Sequence, residues 1–520
     1  MRRARLAGVA MAVAAGVLSG CTGSTHDSGH TETAQLDKGG GGGAPGYAAG
    51  GAEPQNGASG KPEEPADFRS TFALDVDTAS YSYAQRMLRD GARPAPRTVR
   101  TEEFVNSFPQ GYRRPKGDGF SVSADGARLG AGDWSLMRVG LATRKSDPDA
   151  PRRPAALTFV LDVSGSMRGP GRLDLVKDAL RTAAGRLRES DSVSLVTFSG
   201  KAETVLPMTR LDDGGRDRLR AAVDELEPRS STDLGAGMKE GYRQAAEHRR
   251  SGATNRVVLM SDALANMGET DADRILDEVA RYREEQGISL FGVGVGRNYG
   301  DALMERLTNK GDGSTVYLST RAEAHEVFVN QLPRNIELRA RDAKAQVVFD
   351  QDAVTDFRLL GYENRKVADD DFRDDTVDGG EVGPGHTVTA LYAVRLEDGA
   401  KGRAATATVR WLDPDSRKPH EEEHTIAASE LAGENLWKGE VSPYLRLSAV
   451  AAYFAEALRA GGDATAPGAE PSPAAAEAGP LPGAPSLAKL RSEADRLAEE
   501  PGLRSAAGLA KNISRARSIS

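Results

Sequence analysis

The chain has 520 residues, enough for two to four domains, so length alone does not limit the size of its core. Its formal net charge is −8, with 28% charged and only 5% aromatic residues. An acidic balance with no basic patch interleaved with aromatics excludes nucleic acid as the main partner.

Residues 1–21 read as a targeting segment. Arg2, Arg3 and Arg5 precede an apolar run from Leu6 to Val17, too short for a comfortable membrane span, and Leu18-Ser19-Gly20-Cys21 follows. This segment resembles a bacterial lipoprotein signal, which implies that Cys21 is lipidated and becomes the first mature residue. The expected location is therefore extracytoplasmic, lipid-anchored to the bacterial cell membrane. Cys21 is the only cysteine, so no intrachain disulfide can form, and a thioether-linked lipid removes the one free thiol. Two or more acyl chains, of the palmitate kind, anchor stably where one would be marginal, because each buried methylene contributes ~0.8 kcal/mol. Loss of residues 1–20 removes three arginines and no acid, moving the net charge from −8 to −11. Residues 22–67, with Lys38 followed by five glycines, cannot bury enough apolar area to fold and read as a flexible tether.

Residues 68–153 read as a small α+β region. Thr71 to Thr78 is expected as a strand, Ala79 to Leu88 as a helix, and Thr98 to Phe108 as a second helix whose Glu102 and Glu103 suit the helix dipole. Phe120 to Val122 and Ser135 to Ala142 read as strands leading into the next domain. Asp75-Val76-Asp77-Thr78 resembles the nucleophile loop of haloacid-dehalogenase-type phosphatases, which implies nucleophilic attack by the first Asp and protonation by the second. Carboxylates capping turns are the alternative, and no downstream Lys and acidic pair completes such a site.

Residues 154–335 alternate strand and helix. Strands are expected at Leu157–Asp162, Asp191–Phe198, Arg256–Ser261, Ile288–Val295 and Ser314–Leu318, with Glu203–Met208 as an antiparallel edge. Helices are expected at 172–187, 216–226, 236–248, 271–285, 301–308 and 321–332. The alternation predicts a doubly wound, mostly parallel sheet of the α/β class with helices on both faces. Loops at the carboxyl ends of its strands, or beside them, carry Asp162, Ser164 and Ser166, then Thr232 beside Asp233, then Asp262. Carboxylates and hydroxyls without His or Cys suit a hard cation, Mg²⁺ foremost, with Mn²⁺ or Ca²⁺ possible, rather than Zn²⁺. So few carboxylates leave the ion electrophilic, with a position for an outside carboxylate.

This stretch resembles a von Willebrand factor type A (Rossmann-like) domain with its metal-ion-dependent adhesion site (MIDAS). Asp162, Ser164 and Ser166 match the Asp-x-Ser-x-Ser pattern, Thr232 the family's Thr, and Asp262 its later Asp. The resemblance implies that the hydroxyls bind metal directly and the carboxylates partly through water. Many relatives have Thr-Asp-Gly where this chain has Ser261-Asp262-Ala263. Asp233 either strengthens the site or caps the following helix. Gly292-Val293-Gly294-Val295-Gly296 lacks the sixth-position glycine and ribose-binding acid of a dinucleotide motif and reads as a strand-end turn.

Residues 336–435 read as a β-rich module, and the alternation of Val388, Ala390, Tyr392 and Val394 predicts a sheet with one wet face. Asp369–Asp378 reads as a solvated acidic loop. Residues 436–460 form an amphipathic helix suited to core packing, 461–485 a linker, and 486–520 a final helix and tail. Asp75–Tyr81 and Gly383–Tyr392 resemble signatures that flank such a domain in a group of bacterial lipoproteins. The expected role is non-enzymatic: a surface-tethered protein whose cation engages an acidic residue of a protein partner. The alternatives are a phosphoester hydrolase using Asp75 and Asp77, and a metal-free cell-envelope scaffold.

Overall fold

The computed structural model describes residues 68–146, 152–212, 214–263, 269–296, 299–460 and 481–519. The targeting segment with Cys21, the tether at 22–67 and most of the 461–485 linker lie outside the described residues. In chain order the first elements are β1 (Arg69–Ala73), α1 (Ala79–Arg89), α2 (Thr101–Asn106), β2 (Phe120–Arg128) and β3 (Trp134–Thr143). The middle of the chain gives β4 (Ala155–Asp162), α3 (Leu173–Arg186), β5 (Ser192–Phe198), β6 (Ala202–Arg210), α4 (Gly215–Asp224), α5 (Leu234–Glu247) and β7 (Thr254–Ser261). It continues with α6 (Glu269–Gln286), β8 (Ser289–Val295), α7 (Asp301–Lys310), β9 (Ser314–Leu318), α8 (Arg321–Glu326) and α9 (Leu332–Ile336). The strands that follow are β10 (Ala340–Phe349), β11 (Val354–Leu360), β12 (Gly380–Val382), β13 (Thr387–Leu396), β14 (Arg403–Leu412) and β15 (Pro419–Ala427). Four helices close the chain: α10 (Ala428–Leu431), α11 (Pro443–Ala460), α12 (Leu487–Leu497) and α13 (Ala506–Ser518).

The predicted doubly wound sheet is present. Its order is β6-β5-β4-β7-β8-β9, parallel throughout except for β6, which runs antiparallel at one edge. β4 is buried along its whole length, and its apolar Leu157, Phe159, Val160 and Leu161 fall on both faces and demand cover there. One face packs with α3, Leu157, Phe159 and Leu161 meeting Leu173, Val176 and Leu180; the other packs with α5, Val160 meeting Met238 and Tyr242. Gly292 and Gly294 serve this packing, since a Cβ at either would collide with Met304 and Thr308 or with Tyr299. The chain adds β5 to one side of β4 and β7 to the other, so the winding reverses at β4. That reversal opens a crevice at the carboxyl ends of the strands.

The flanking regions are not two modules. β1 pairs antiparallel with β10 in a sheet ordered β1-β10-β14-β15, while β2 and β3 join β13 and β11 in a sheet ordered β11-β13-β3-β2. The boundary placed between 68–153 and 336–435 thus divides strands that share hydrogen bonds, and β2 and β3 do not feed the central sheet. Local pattern identifies a strand but not its partner, which lies more than 200 residues away here.

The predicted wet face is also absent. β13 is buried along most of its length, with Val388, Ala390, Tyr392 and Val394 facing the other sheet and Leu391 packed among Phe104, Leu445 and Phe454 of the helices. The helix expected over 436–460 starts at Pro443, whose missing N–H costs nothing in a first turn. It is a core helix, as its apolar residues suggest, and no helix among the described residues is long and apolar enough to cross a membrane. The single final helix is instead α12 and α13, broken at Pro501-Gly502, where Gly502 has φ +84°. The end of the expected linker is packed: Leu481 is buried and the Pro482 carbonyl accepts a 2.6 Å hydrogen bond from Tyr453.

Candidate cation site at the strand ends

β4 delivers Asp162 into the crevice as a fully buried carboxylate (0% exposed). The tight turn after it returns the Ser164 N–H to Asp162 Oδ1 at 2.9 Å. Gly165 then opens a short 3₁₀ turn, Gly165–Arg168, that brings the Ser164 and Ser166 hydroxyls to 2.9 Å from each other. Ser164 is buried while Ser166 is half-buried, so the hydroxyl pair runs from the interior toward solvent.

The second contribution comes from the end of β7. Ser261 donates its hydroxyl to Asp162 Oδ2 at 2.6 Å and accepts the Ala263 N–H at 2.8 Å. Asp262, the next residue, is buried close enough for its charge to act on Asp162. Burial pushes the Asp162 carboxyl above its usual range; the Ser164 and Ser261 hydrogen bonds oppose this and Asp262 adds to it.

The third contribution is the loop before α5. Its backbone is tied to both neighbouring strand ends: the Arg229 N–H reaches the Val163 carbonyl and the Asp233 N–H the Ser199 carbonyl, each at 2.6 Å. Thr232 is held between these ties, half-buried, and lines a depression with Gly235, Ala236, Lys239 and Ile275. It makes no hydrogen bond to Asp162, Ser164 or Ser166 among the described residues; backbone bonds alone connect its loop to theirs. Asp233 is a helix cap, accepting the Ala236 N–H at 2.9 Å on Oδ1. That oxygen is thereby committed to α5.

The donor chemistry fits a hard divalent ion. Two buried carboxylates that repel each other stand beside two hydroxyls in contact, with no imidazole or thiolate in the set. Sequence reasoning passed over two residues here. Ser261 holds the second oxygen of Asp162, and the signal was available: one polar residue closing the buried apolar run Val257 to Met260. Arg172, whose guanidinium bonds the Ser166 carbonyl and packs over Gly296 beside Asp262, carried no such signal.

The phosphatase-like pair fares differently. Asp75 and Asp77 are each 1% exposed, with the Asp77 N–H bonded to Asp75 Oδ1 and the Thr315 N–H to Asp77 Oδ1. A carboxylate sealed in this way cannot make in-line attack on a phosphoester, so the hydrolase alternative loses its nucleophile.

The von Willebrand factor type A domain family matches residues 156–331, the span of the central sheet and its helices. Residues 156–331 form a von Willebrand factor type A domain. Two further families match outside it: one described as von Willebrand factor over residues 56–131, and one described as the C-terminal part of the uncharacterized protein YfbK over residues 336–431. None of the three is described by a catalytic activity. The chain is similar to the uncharacterized protein YfbK of Escherichia coli, 33% identical over 71% of this chain and 63% of that protein. It is also similar to the uncharacterized protein sll0103 of Synechocystis, 27% identical over 37% of this chain and 44% of the other. It therefore spans less than two thirds of the length of these curated relatives. A solved structure of a von Willebrand factor type A protein from Catenulispora acidiphila aligns over 75% of this chain and 89% of its own, with 16% identity and a TM-score of 0.46. In the VWA domain, Asp162 ends β4, Ser164 and Ser166 follow it, Asp262 follows β7, and Thr232 lies on the loop between α4 and α5.

Proposed function

We propose that this is a membrane-anchored extracytoplasmic binding protein, tethered through a lipid on Cys21, whose VWA domain engages an acidic residue of a protein partner through a divalent cation. Asp162, Ser164, Ser166, Thr232 and Asp262 would hold the ion, with Mg²⁺ the best match to an all-oxygen set of few carboxylates. When bound, the ion supplies an electrophilic position for an outside carboxylate. The chain's own residues do the rest. Ser261 and the Ser164 N–H each fix one oxygen of Asp162, so its carboxylate is oriented before any ligand arrives. The half-buried Ser166 and Thr232 leave the approach from solvent open.

The observation that carries this reading is the convergence of Asp162, Ser164, Ser166 and Ser261 in one hydrogen-bonded cluster at the topological switch of the sheet. A crosslinking pull-down from intact cells, with Mg²⁺ and with EDTA, tests it. The wild type should capture its partner only with the cation, and Asp162→Ala should capture none while keeping its fold by circular dichroism. Equal capture in both buffers would sink the reading. Calorimetry showing no heat with Mg²⁺ or Mn²⁺ would favour the metal-free scaffold instead.

A further inference from the structure

The second gathering of carboxylates lies where the segment after β1 meets the edge of the VWA sheet. Asp75, Asp77 and Glu305 each offer an oxygen within 4.8 Å of the other two, and all three are more than nine-tenths buried. Each carboxylate is oriented through one oxygen. Asp75 Oδ1 takes the Asp77 N–H at 2.8 Å, Asp77 Oδ1 the Thr315 N–H at 2.9 Å, and Glu305 Oε1 the amides of Asn364 at 2.8 Å and Asn309 at 3.2 Å. The other oxygen of each, Asp75 Oδ2, Asp77 Oδ2 and Glu305 Oε2, is buried with no hydrogen-bond partner.

The neighbouring guanidinium groups do not fill this gap. Arg365 forms ion pairs with Asp75 Oδ1 at 3.3 Å and Asp77 Oδ2 at 3.6 Å, and Arg100 with Glu305 Oε2 at 3.7 Å, but none of these contacts gives Asp75 Oδ2, Asp77 Oδ2 or Glu305 Oε2 a hydrogen bond. Arg100 spends its donors on Asp301, bidentate at 2.7 Å, and on Glu103. Fully ionised, Asp75, Asp77, Glu103, Asp301 and Glu305 outnumber Arg100 and Arg365 by three charges, and burial accordingly pushes the carboxyls of Asp75, Asp77 and Glu103 above their usual range. Incompletely compensated charge in the interior is costly, whereas a cation within reach of one oxygen from each of the three carboxylates offsets it.

We propose that Asp75, Asp77 and Glu305 bind a structural Ca²⁺ ion that fastens the N-terminal segment to α7 and the β9 edge of the VWA domain. Oxygens spread over as much as 4.8 Å suit an ion that binds at about 2.3–2.6 Å better than Mg²⁺ at about 2.0–2.1 Å. The burial of these oxygens keeps this ion from partner contact, so its role is to hold the junction together.

The test uses the full chain carrying Asp162→Ala, so that the strand-end site does not contribute. Thermal unfolding and calorimetry are run with Ca²⁺, with Mg²⁺ and with EDTA. The expected result is one Ca²⁺ per chain, a melting temperature several degrees higher in Ca²⁺ than in EDTA, and a smaller rise in Mg²⁺. Adding Glu305→Gln should abolish both the calcium heat and the calcium-dependent rise. Identical melting in Ca²⁺ and EDTA with no calcium heat would overturn the proposal. So would a Glu305→Gln variant that melts higher than its parent in both buffers, since relief of repulsion is what an ion-free cluster predicts. Should Glu305→Gln fail to fold, the comparison of Ca²⁺ with EDTA on the Asp162→Ala chain still decides.

Discussion

At the end of β4, Asp162 is held by neutral donors, a hydroxyl and an N–H, beneath serines that reach a half-open rim. At the junction before α1, Asp75 and Asp77 are held by N–H groups and flanked by Arg365 and Arg100 in a sealed interior. Both places collect carboxylates just after a strand, and the two segments, Leu-Asp-Val-Ser and Leu-Asp-Val-Asp, begin alike. Their surroundings set them apart. An open rim with neutral second partners suits exchange with an outside ligand, while a sealed cluster crowded with charge suits holding two parts of the molecule together.

The comparison can be broken most sharply at the sealed cluster. Arg100→Ala removes the bidentate partner of Asp301 and leaves Glu103 and Asp301 buried without it, which should cost about 3–5 kcal/mol in denaturant unfolding. A loss under 1 kcal/mol would mean that the junction does not depend on this network.

Glu102 gives a pH-dependent test of the same region. Burial, with Asp75 and Glu363 adding to it, pushes its carboxyl from 4.5 up to about 8. The folded chain then keeps a proton that the unfolded chain releases near 4.5, so native stability falls as pH rises from 4.5 toward 8. Glu102→Gln should gain on the wild type across that window and match it below pH 4.5. A stability difference that stays constant between pH 5 and 8 would contradict this.

At the strand ends the effects are smaller. Ser261→Ala leaves Asp162 Oδ2 without its hydroxyl, which should cost about 1–3 kcal/mol in stability and weaken Mg²⁺ binding by calorimetry. Unchanged Mg²⁺ affinity would remove Ser261 from the site's support. The smallest effect is expected at Ala263, a non-glycine residue held at φ +49°. Ala263→Gly relieves left-handed strain but adds freedom to the unfolded chain, for a net gain of about 0.5 kcal/mol. A rise in melting temperature of a degree or two is the readout.

The strand-end residues were legible because they are local. Asp162, Ser164 and Ser166 fall within five residues of one apolar strand, and the tight turn that joins them is written in Gly165. The helix-cap role of Asp233 was open in the sequence, and its bond to the Ala236 N–H settles it. Glu102 and Glu103 stand in the first turn of α2 as expected, but nothing nearby in the chain says that α11, Gly361 and Arg100 cover them.

By itself the sequence determined the alternation of strand and helix from 154 to 335, and with it the parallel sheet and the loops that carry oxygen donors. Periodicity reports which face of an element is apolar, and the βα alternation then leaves few topologies. Only the tertiary structure decided that 68–153 and 336–435 interleave in two sheets, that helices cover the expected wet face, and that Asp75 and Asp77 meet Glu305. Those outcomes rest on pairing between segments hundreds of residues apart, and hydrogen-bonding edges and buried charges choose such partners through space, where no local pattern records the choice.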